Sequence, residues 1–340
     1  MRWAIVSAQY LFALIIIPAT LKSIDIMLAR KAALAFVFGV AFSQLLGVIA
    51  MQFLTYDDLV PFFGRTFLLG NGRLGAMTGE ANSNGAVCAF ALVILFHALL
   101  QKRVSWPAGL TIGAIIIAGL LASASVTGFS ASVLGVSFLL IATRFSNFAR
   151  IGVPIILAIV AYIGLGGPIP QTFENRVGTA LITGDPAKAG TFSGRVELIS
   201  EAWDDADDTI LIGLGADQYR LVSTHDAPVH NLPLLLINEG GILSLSGFIV
   251  MVGCLFLMAL LVSRIHRIDG AACLAITGVF LIFAMSIPHM YARIWTAPVM
   301  LVFAMAMVRP TWFDIRHRYL SGNMIHQQIP PDRRIASLPA

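Results

Sequence analysis

The sequence predicts an all-α polytopic membrane protein, a helical bundle of about nine spans with one large, partly helical loop on the outer, periplasmic side. Of its 340 residues, 58% are hydrophobic and only 12% are charged, whereas a soluble protein carries about a quarter charged residues. Many apolar runs approach the roughly 20 residues that cross a bilayer as a helix. These runs lack the alternation of polar and apolar residues typical of transmembrane barrels, so helices are predicted.

Nine apolar segments are the candidate spans, and they divide the chain into four regions. The spans are 3–20, 32–54, 85–100, 108–124, 129–143, 151–167, 232–262, 271–287 and 296–308. The regions are an N-terminal transmembrane bundle (1–167), a loop with the candidate functional residues (168–231), C-terminal transmembrane helices (232–308) and a basic tail (309–340). The segment 232–262 is too long for one upright helix. It is predicted to be tilted, broken at Gly240–Gly241, or preceded by a short dipping helix.

The basic residues predict the orientation. Alternate connectors and the C-terminal tail contain 14 of the 22 Lys and Arg residues but only four of the 18 acids. These segments are 21–31, 101–107, 144–150, 264–269 and 309–340. Because basic residues stay on the cytoplasmic side, the connectors 55–84, 168–231 and 288–295 are predicted to face outward. The same rule explains the net charge of +4, so no nucleic-acid partner is expected.

The cysteines and the acidic cluster both have structural explanations. Cys88, Cys254 and Cys273 lie inside apolar runs, which favours small core residues over disulfides or a metal cluster. Four aspartates follow within the stretch 204–208. Spacing alone does not show that carboxylates converge on a cation. A solvated helix end is therefore favoured, and no metal site is predicted.

The outward loop contains one amphipathic helix, with Arg195 in its apolar arc. Residues 195–205 show a helical pattern, in which an arc of Val196, Leu198, Ile199, Ala202 and Trp203 faces the protein. A guanidinium aimed at that side needs a partner. Either Arg195 snorkels into water, or it faces an anionic ligand, for which the planar guanidinium is well suited.

The stretch APVHNLPLLLINEGG (227–241) places several polar residues at the entrance to a span. His230 titrates near neutrality and can accept a proton from a hydroxyl, although a lone His at a helix start is more often structural. Asn231 is a candidate N-cap. Glu239 is predicted at membrane depth, where carboxylates have a pairing or functional role, and it is a candidate to orient an Arg or His230.

These motifs together resemble the O-antigen ligase / O-antigen polymerase superfamily of bacterial membrane glycosyltransferases. Its signature is an Arg-x-x-Leu helix, a Gly-x-Gly turn, then His-Asn opening a helix that runs into Glu-x-Gly. The matching residues are Arg195 with Leu198, Gly213 and Gly215, His230 with Asn231, and Glu239 with Gly241. Upstream, RLGAMTGEANSNG resembles the family's Arg…Gly…Pro-Asn segment through Arg73, Gly79 and Asn82, and LASASVTGFSAS resembles its Ser-rich turn.

The resemblance implies transfer of a glycan from undecaprenyl diphosphate to a sugar hydroxyl on the periplasmic face of the cytoplasmic (inner) membrane. The acceptor is another lipid-linked repeat unit or lipid A-core, the reaction is inverting, and no cofactor or metal is required. Membrane lipid and other polysaccharide assembly proteins are the further partners expected. Catalytic roles are expected for His230, Arg195 and Glu239. Substrate-binding roles are expected for Arg73, Glu80, Asn82, Arg176, Asn231 and Arg293.

The chain also departs from the family pattern, and two alternatives remain open. Val126 stands where the Ser-rich turn often has a basic residue, so Arg73, Arg176 or Arg293 has to supply the missing diphosphate contact. The chain is also shorter at the front than typical members. These departures allow an inactive assembly member of the same superfamily. A transporter is the second alternative, since Glu239 and several serines lie within predicted spans, but no inverted repeat supports it.

Overall fold

Eight helices of the computed structural model are long and apolar enough to cross a membrane, and a ninth, shorter apolar helix follows near the C-terminus. The structure describes residues 2–167, 170–178, 183–184, 192–288 and 293–307. It is 81% helical, without strands in this described part. The helices are α1 (Ala4–Ser23), α2 (Ile26–Phe53), α3 (Tyr56–Phe63), α4 (Ala81–Leu100), α5 (Trp106–Ser123), α6 (Val126–Thr143), α7 (Phe145–Tyr162), α8 (Phe192–Thr209), α9 (Leu232–Ile265), α10 (Arg267–Ala284) and α11 (Arg293–Met307).

The predicted fold class is confirmed. Each of the nine predicted spans corresponds in order to one apolar helix, with bounds that differ by a few residues. Helices α3 and α8 lie within the connectors 54–80 and 163–231, whose described parts contain no spanning helix. The predicted cytoplasmic tail, 309–340, lies outside the described residues.

Helix α4 is the centre of the bundle. Within its apolar window, 89% of the residues are buried, and α2, α5, α6, α10 and α11 pack around it. A helix that is apolar on all sides is stable only when neighbours cover every face. On one side α4 and α6 approach closely, since a Cβ on Gly128 would lie 2.8 Å from Gly85 Cα. Small residues allow such contact, which brings the start of α6 beside the start of α4.

Alternation of the spans places several connectors at one end of the bundle. These connectors are 54–80, 124–125, the described parts of 163–231, and the segment that follows α10. The connectors at the other end of the bundle are short, such as residues 101–105 between α4 and α5. The polar segments identified in the sequence therefore converge at one end, which we call the loop end.

Helix α9 is broken at Gly241, one of the three arrangements that the sequence allowed. Gly241 adopts φ 64° and ψ −165°, which is not helical. The Ile242 N–H, which loses its helical partner, donates to Ile210 O at 2.7 Å. In return Leu214 N–H donates to Asn238 O and Gly215 N–H to Glu239 O, both at 2.8 Å. Buried backbone groups require partners, so the 210–215 turn satisfies the groups that the break exposes.

The two glycines of this interlock allow backbone to touch backbone. A Cβ on Gly241 would lie 2.5 Å from Leu211 O, and one on Gly213 would lie 2.5 Å from Gly240 N. Both positions also have a positive φ, which residues other than Gly rarely adopt. The Gly-x-Gly turn and the Glu-x-Gly segment are therefore two halves of one contact.

We expect Gly241→Ala to destabilise the protein, because the new Cβ clashes with Leu211 and requires a strained φ. Strain of this kind costs about 1–3 kcal/mol, and the clash adds to it. Thermal unfolding in detergent should show a lower midpoint. Gly253→Ala in the same helix is the control, because a Cβ there meets nothing within 4 Å. Equal midpoints for the two variants would contradict the interlock.

Candidate active site at the loop end

Arg73 joins three segments at the loop end. Its Nε donates to Ser123 O at 2.9 Å, and its Nη2 donates to Asn82 Oδ1 at 2.8 Å. Ser123 ends α5, where carbonyls lack intrahelical partners. The neighbouring Leu74 N–H donates to Ala122 O at 3.0 Å. Arg73 is only 7% exposed, so it is both a structural residue and a buried positive charge.

Glu80 is the N-cap of α4. Its carboxylate accepts from Asn82 N at 2.9 Å, Ser83 N at 2.6 Å and Ser83 Oγ at 2.7 Å. Carboxylates are favourable at a helix N-terminus, where unpaired N–H groups are concentrated. Its charge also acts on Arg73, Arg195 and His230. Glu80 therefore counters part of the positive charge around it.

Arg176 is brought to the site by an aromatic contact. Phe173, three residues earlier, is buried in an apolar cluster with Ala124, Val126 and Phe129. The Phe129 and Phe173 rings lie 5.4 Å apart, edge to face. Arg176 interacts electrostatically with Arg73 and Arg195, and its Nε is buried without a hydrogen-bond partner in the described part of the chain.

Arg195 extends from α8 towards the same group. Burial, together with the repulsive charge of Arg176, lowers its pKa, while Glu80 opposes this shift. Burial likewise lowers the pKa of Arg73 to about 10, and Arg176 and Arg195 add to that effect. Both arginines stay protonated at neutral pH. Of the two predicted environments for Arg195, the inward-facing one is observed.

His230 lies beside Arg195, directly before α9. Burial is the main cause that lowers its pKa, and the positive charge of Arg195 adds to it, while a hydrogen bond with the backbone of Ser286 opposes the shift. The imidazole is therefore neutral at pH 7. Its Nδ1 is buried and has no hydrogen-bond partner among the described residues. A neutral imidazole with an unoccupied nitrogen can accept a proton.

The structure thus brings together six of the nine predicted site residues. They are Arg73, Glu80, Asn82, Arg176, Arg195 and His230. Burial and the repulsion among the three guanidinium groups lower the pKa values of Arg73 and Arg195, and the carboxylate of Glu80 opposes this shift. Such an excess of positive charge, partly buried, is a site for an anion with several oxygen atoms.

The remaining three predicted residues are arranged differently. Glu239 accepts hydrogen bonds from the backbone of Asp217 and Tyr219, so its described bonds hold the 215–219 turn rather than His230 or Arg195. Asn231 is the N-cap of α9 and accepts from Leu234 N at 3.1 Å. Arg293 begins α11, and its side chain lies outside the described residues.

The sequence analysis gave no role to Asn238, which fixes α8 against α9. Its fully buried amide donates to Ala202 O at 2.8 Å and accepts from Thr209 Oγ1 at 2.9 Å. A signal was present, because an amide within an apolar run needs buried partners. Since α8 contains Arg195 and α9 follows His230, this amide helps to set the distance between them.

The predicted apolar face of α8 is only partly correct. Ala202 is buried, and Ile199 packs beside it against α9. Trp203 and Val196, however, are 70% and 49% exposed. A single neighbouring helix covers only a narrow stripe of side chains, and small alanines at the contact let the two helices approach closely. Tyr219 is buried in the same cluster as Ala202, and its OH donates to Asp205 at 3.3 Å.

Comparison with known protein families gives one match. The sequence model described as O-antigen ligase matches residues 111–249. The matched region runs from α5 into α9 and includes Arg176, Arg195, His230 and Glu239. The protein is therefore a multi-pass membrane protein, and its residues 111–249 are similar to the O-antigen ligase family, whose members are glycosyltransferase-like ligases and polymerases. No curated protein matches the chain.

We expect Arg73→Lys to lower the unfolding midpoint, because a single ammonium group cannot reproduce two fixed, diverging hydrogen bonds. Leaving buried acceptors unpaired costs about 1–3 kcal/mol. The comparison is with Arg65→Lys in the same connector, since Arg65 is exposed. An unchanged midpoint for Arg73→Lys would show that the link between Ser123 and Asn82 is not needed for stability.

Proposed function

We propose that the protein transfers a glycan from undecaprenyl diphosphate to a sugar hydroxyl at the loop end, as a polysaccharide polymerase or an O-antigen ligase. The observation that carries this proposal is the convergence of three arginines and a neutral imidazole at one end of a membrane bundle. The acceptor hydroxyl belongs to a lipid-linked repeat unit or to lipid A-core. The family match supports the general class.

The arginines suit the leaving group. When the bond from the anomeric carbon to the diphosphate oxygen breaks, negative charge develops on that diphosphate. Fixed cations in a partly dry site stabilise such charge more strongly than water does. In this proposal Arg73, Arg176 and Arg195 have this role. Phe173, three residues before Arg176, packs in one cluster with Val126, where the family often has its own basic residue. Activity without a metal ion follows from this assignment.

His230 suits the acceptor. A sugar hydroxyl is a weak nucleophile, and a positioned base that takes its proton accelerates attack. In the proposed step the imidazole accepts the hydroxyl proton while the oxygen attacks the anomeric carbon, and undecaprenyl diphosphate leaves from the opposite face. One displacement of this kind inverts the configuration at that carbon. Buried and beside Arg195, His230 is neutral before the reaction.

The orientation of the bundle supports a site on the periplasmic face of the inner membrane. Of the 22 Lys and Arg residues in the sequence, 14 lie in the tail 309–340 and in the connectors 21–31, 101–107, 144–150 and 264–269. The positive-inside rule assigns these segments to the cytoplasm, and the connectors among them lie at the end opposite the site. A cavity of about 610 Å³ between α1 and α9, lined by Leu14, Leu236, Phe248 and Met251, lies beside Glu239. It provides an apolar surface for the polyprenyl chain, next to the interlocked turn.

Replacing either central residue should nearly abolish turnover of a labelled lipid-linked donor. His230→Ala removes the base and should reduce the rate by about 10²–10⁴-fold. Arg195→Ala removes a cation that stabilises the leaving group and should reduce it by about 10²–10³-fold. Arg65→Ala, an exposed arginine at the same end, should keep the wild-type rate. Wild-type turnover in both site variants would overturn the assignment.

The acid limb of the pH–rate profile should lie below the ordinary histidine pKa of 6.5, because burial and Arg195 lower the pKa of His230. As the pH falls through that lowered pKa, the imidazole becomes protonated and the rate declines. In Arg195→Gln the repulsive charge is gone, so the limb of the residual activity should move to higher pH. A limb that stays in place would mean that another group acts as the base.

An arginine at position 126 should partly rescue the loss of Arg176. Arg176→Gln should lower turnover by about a hundredfold. Val126 belongs to the same apolar cluster as Phe173, so Val126→Arg in that background introduces a guanidinium near the vacated position. Val126→Arg alone, expected to remain active, is the control. If Val126→Arg alone is active and the double variant turns over the donor no faster than Arg176→Gln, a guanidinium at position 126 does not replace the one at position 176.

A further inference from the structure

A second polar cavity lies at the opposite end of the bundle, where α4, α6, α9 and α10 meet. It has a volume of about 580 Å³, which is within the range of small-molecule sites. Its polar lining is contributed by the connectors at this end: Gln101, Thr143, Arg144, Asn147, His266 and Arg267. Leu100, Ile265 and Ile268 form apolar walls.

Two arginines give this cavity a positive charge. Arg144 is exposed, and no ion pair or side-chain hydrogen bond to it is found in the described part of the chain. Arg267 donates through Nε to Ala142 O at 2.8 Å, which fixes the side chain and leaves both Nη groups available. The exposed His266 also lines the cavity.

The one described carboxylate that lines the cavity is already engaged. Asp269 is 3% exposed, and its Oδ1 lies 2.9 Å from His97 Nε2. Gln101 Nε2 also donates to Asp269. Asp269 keeps its negative charge in these bonds, but among the described lining residues it faces two arginines, so the net charge of the cavity is positive. The positive charge of Arg144 and Arg267 is therefore available to a ligand.

We propose that this cavity binds a phosphate group, as the headgroup of an anionic glycerophospholipid. Guanidinium groups bind phosphate through paired hydrogen bonds, and basic pockets between spans on the cytoplasmic side recognise such headgroups. The location fits, because the lining residues end their helices at the level where headgroups lie. The apolar walls adjoin the arginines, which suits a ligand with a charged group and a hydrocarbon part. Free phosphate shares the same chemistry and is the other source to be tested.

The test is thermal stabilisation of the purified full-length protein in a neutral detergent. Short-chain phosphatidylglycerol, short-chain phosphatidylcholine and inorganic phosphate are titrated separately. Saturable stabilisation by phosphatidylglycerol, at concentrations where the other two have no effect, is expected. Arg144→Gln and Arg267→Gln should each weaken the apparent affinity by about tenfold, the value of one charge-assisted hydrogen bond.

Arg264→Gln is the matched control, because Arg264 is an exposed arginine at the same end that does not line the cavity. Arg144→Gln removes no described hydrogen bond, so its effect does not depend on altered folding. Equal affinity in wild type and both cavity variants would overturn the site. Saturation by inorganic phosphate as readily as by phosphatidylglycerol would overturn the lipid assignment, and an equal response to phosphatidylcholine would overturn the role of charge.

Discussion

The backbone hydrogen bonds between the 210–215 turn and the broken helix α9 connect the two halves of the candidate active site. A break within a spanning helix leaves N–H and C=O groups unpaired, which is costly away from water. Here Ile242, Asn238 and Glu239 find their partners in the turn at 2.7–2.8 Å. The turn directly follows α8, which contains Arg195, and α9 directly follows His230. The hydrogen bonds at the break therefore fix α8 against α9. The arrangement of His230 and Arg195 thus depends on Gly213 and Gly241, where a side chain would prevent the contact.

Charge is the second constraint. In the described part of the site the guanidinium groups of Arg73, Arg176 and Arg195 repel one another, Glu80 attracts Arg73 and Arg195, and burial adds to the cost of the charge on both. The structure limits this cost with local bonds: Arg73 caps α5 through Ser123, and Glu80 is held at the N-terminus of α4. A bound diphosphate would supply the missing negative charge, so under the proposed function the unliganded site keeps its cations apart at some expense in stability. A site that is under-neutralised before binding is well suited to a polyanionic ligand.

Much of this could be predicted from single residues and their spacing. The nine apolar runs follow from hydropathy, which is a local property. A break at Gly240–Gly241 and an Arg195 directed towards the protein were each one of the alternatives that the sequence left open. The environment of Glu239 could not be predicted in the same way. A carboxylate at membrane depth requires hydrogen-bond donors, but the amino-acid sequence does not show which groups these are. Those donors are backbone N–H groups of a turn more than 19 residues earlier. Likewise, helical period placed Trp203 on the apolar arc, while its exposure depended on how narrow a stripe α9 covers.

The sequence by itself determined that the chain spans a membrane, where its helices run and which charged and titratable side chains are candidates for a site. These properties depend on composition, on period and on chemistry that each side chain has alone. Only the tertiary structure decided that Arg73 and Arg176 lie near Arg195, that Phe173 packs in one cluster with Val126, and that Asn238 joins α8 to α9. Those outcomes depend on contacts between segments far apart in the chain, where packing and the need to pair buried polar groups select one arrangement.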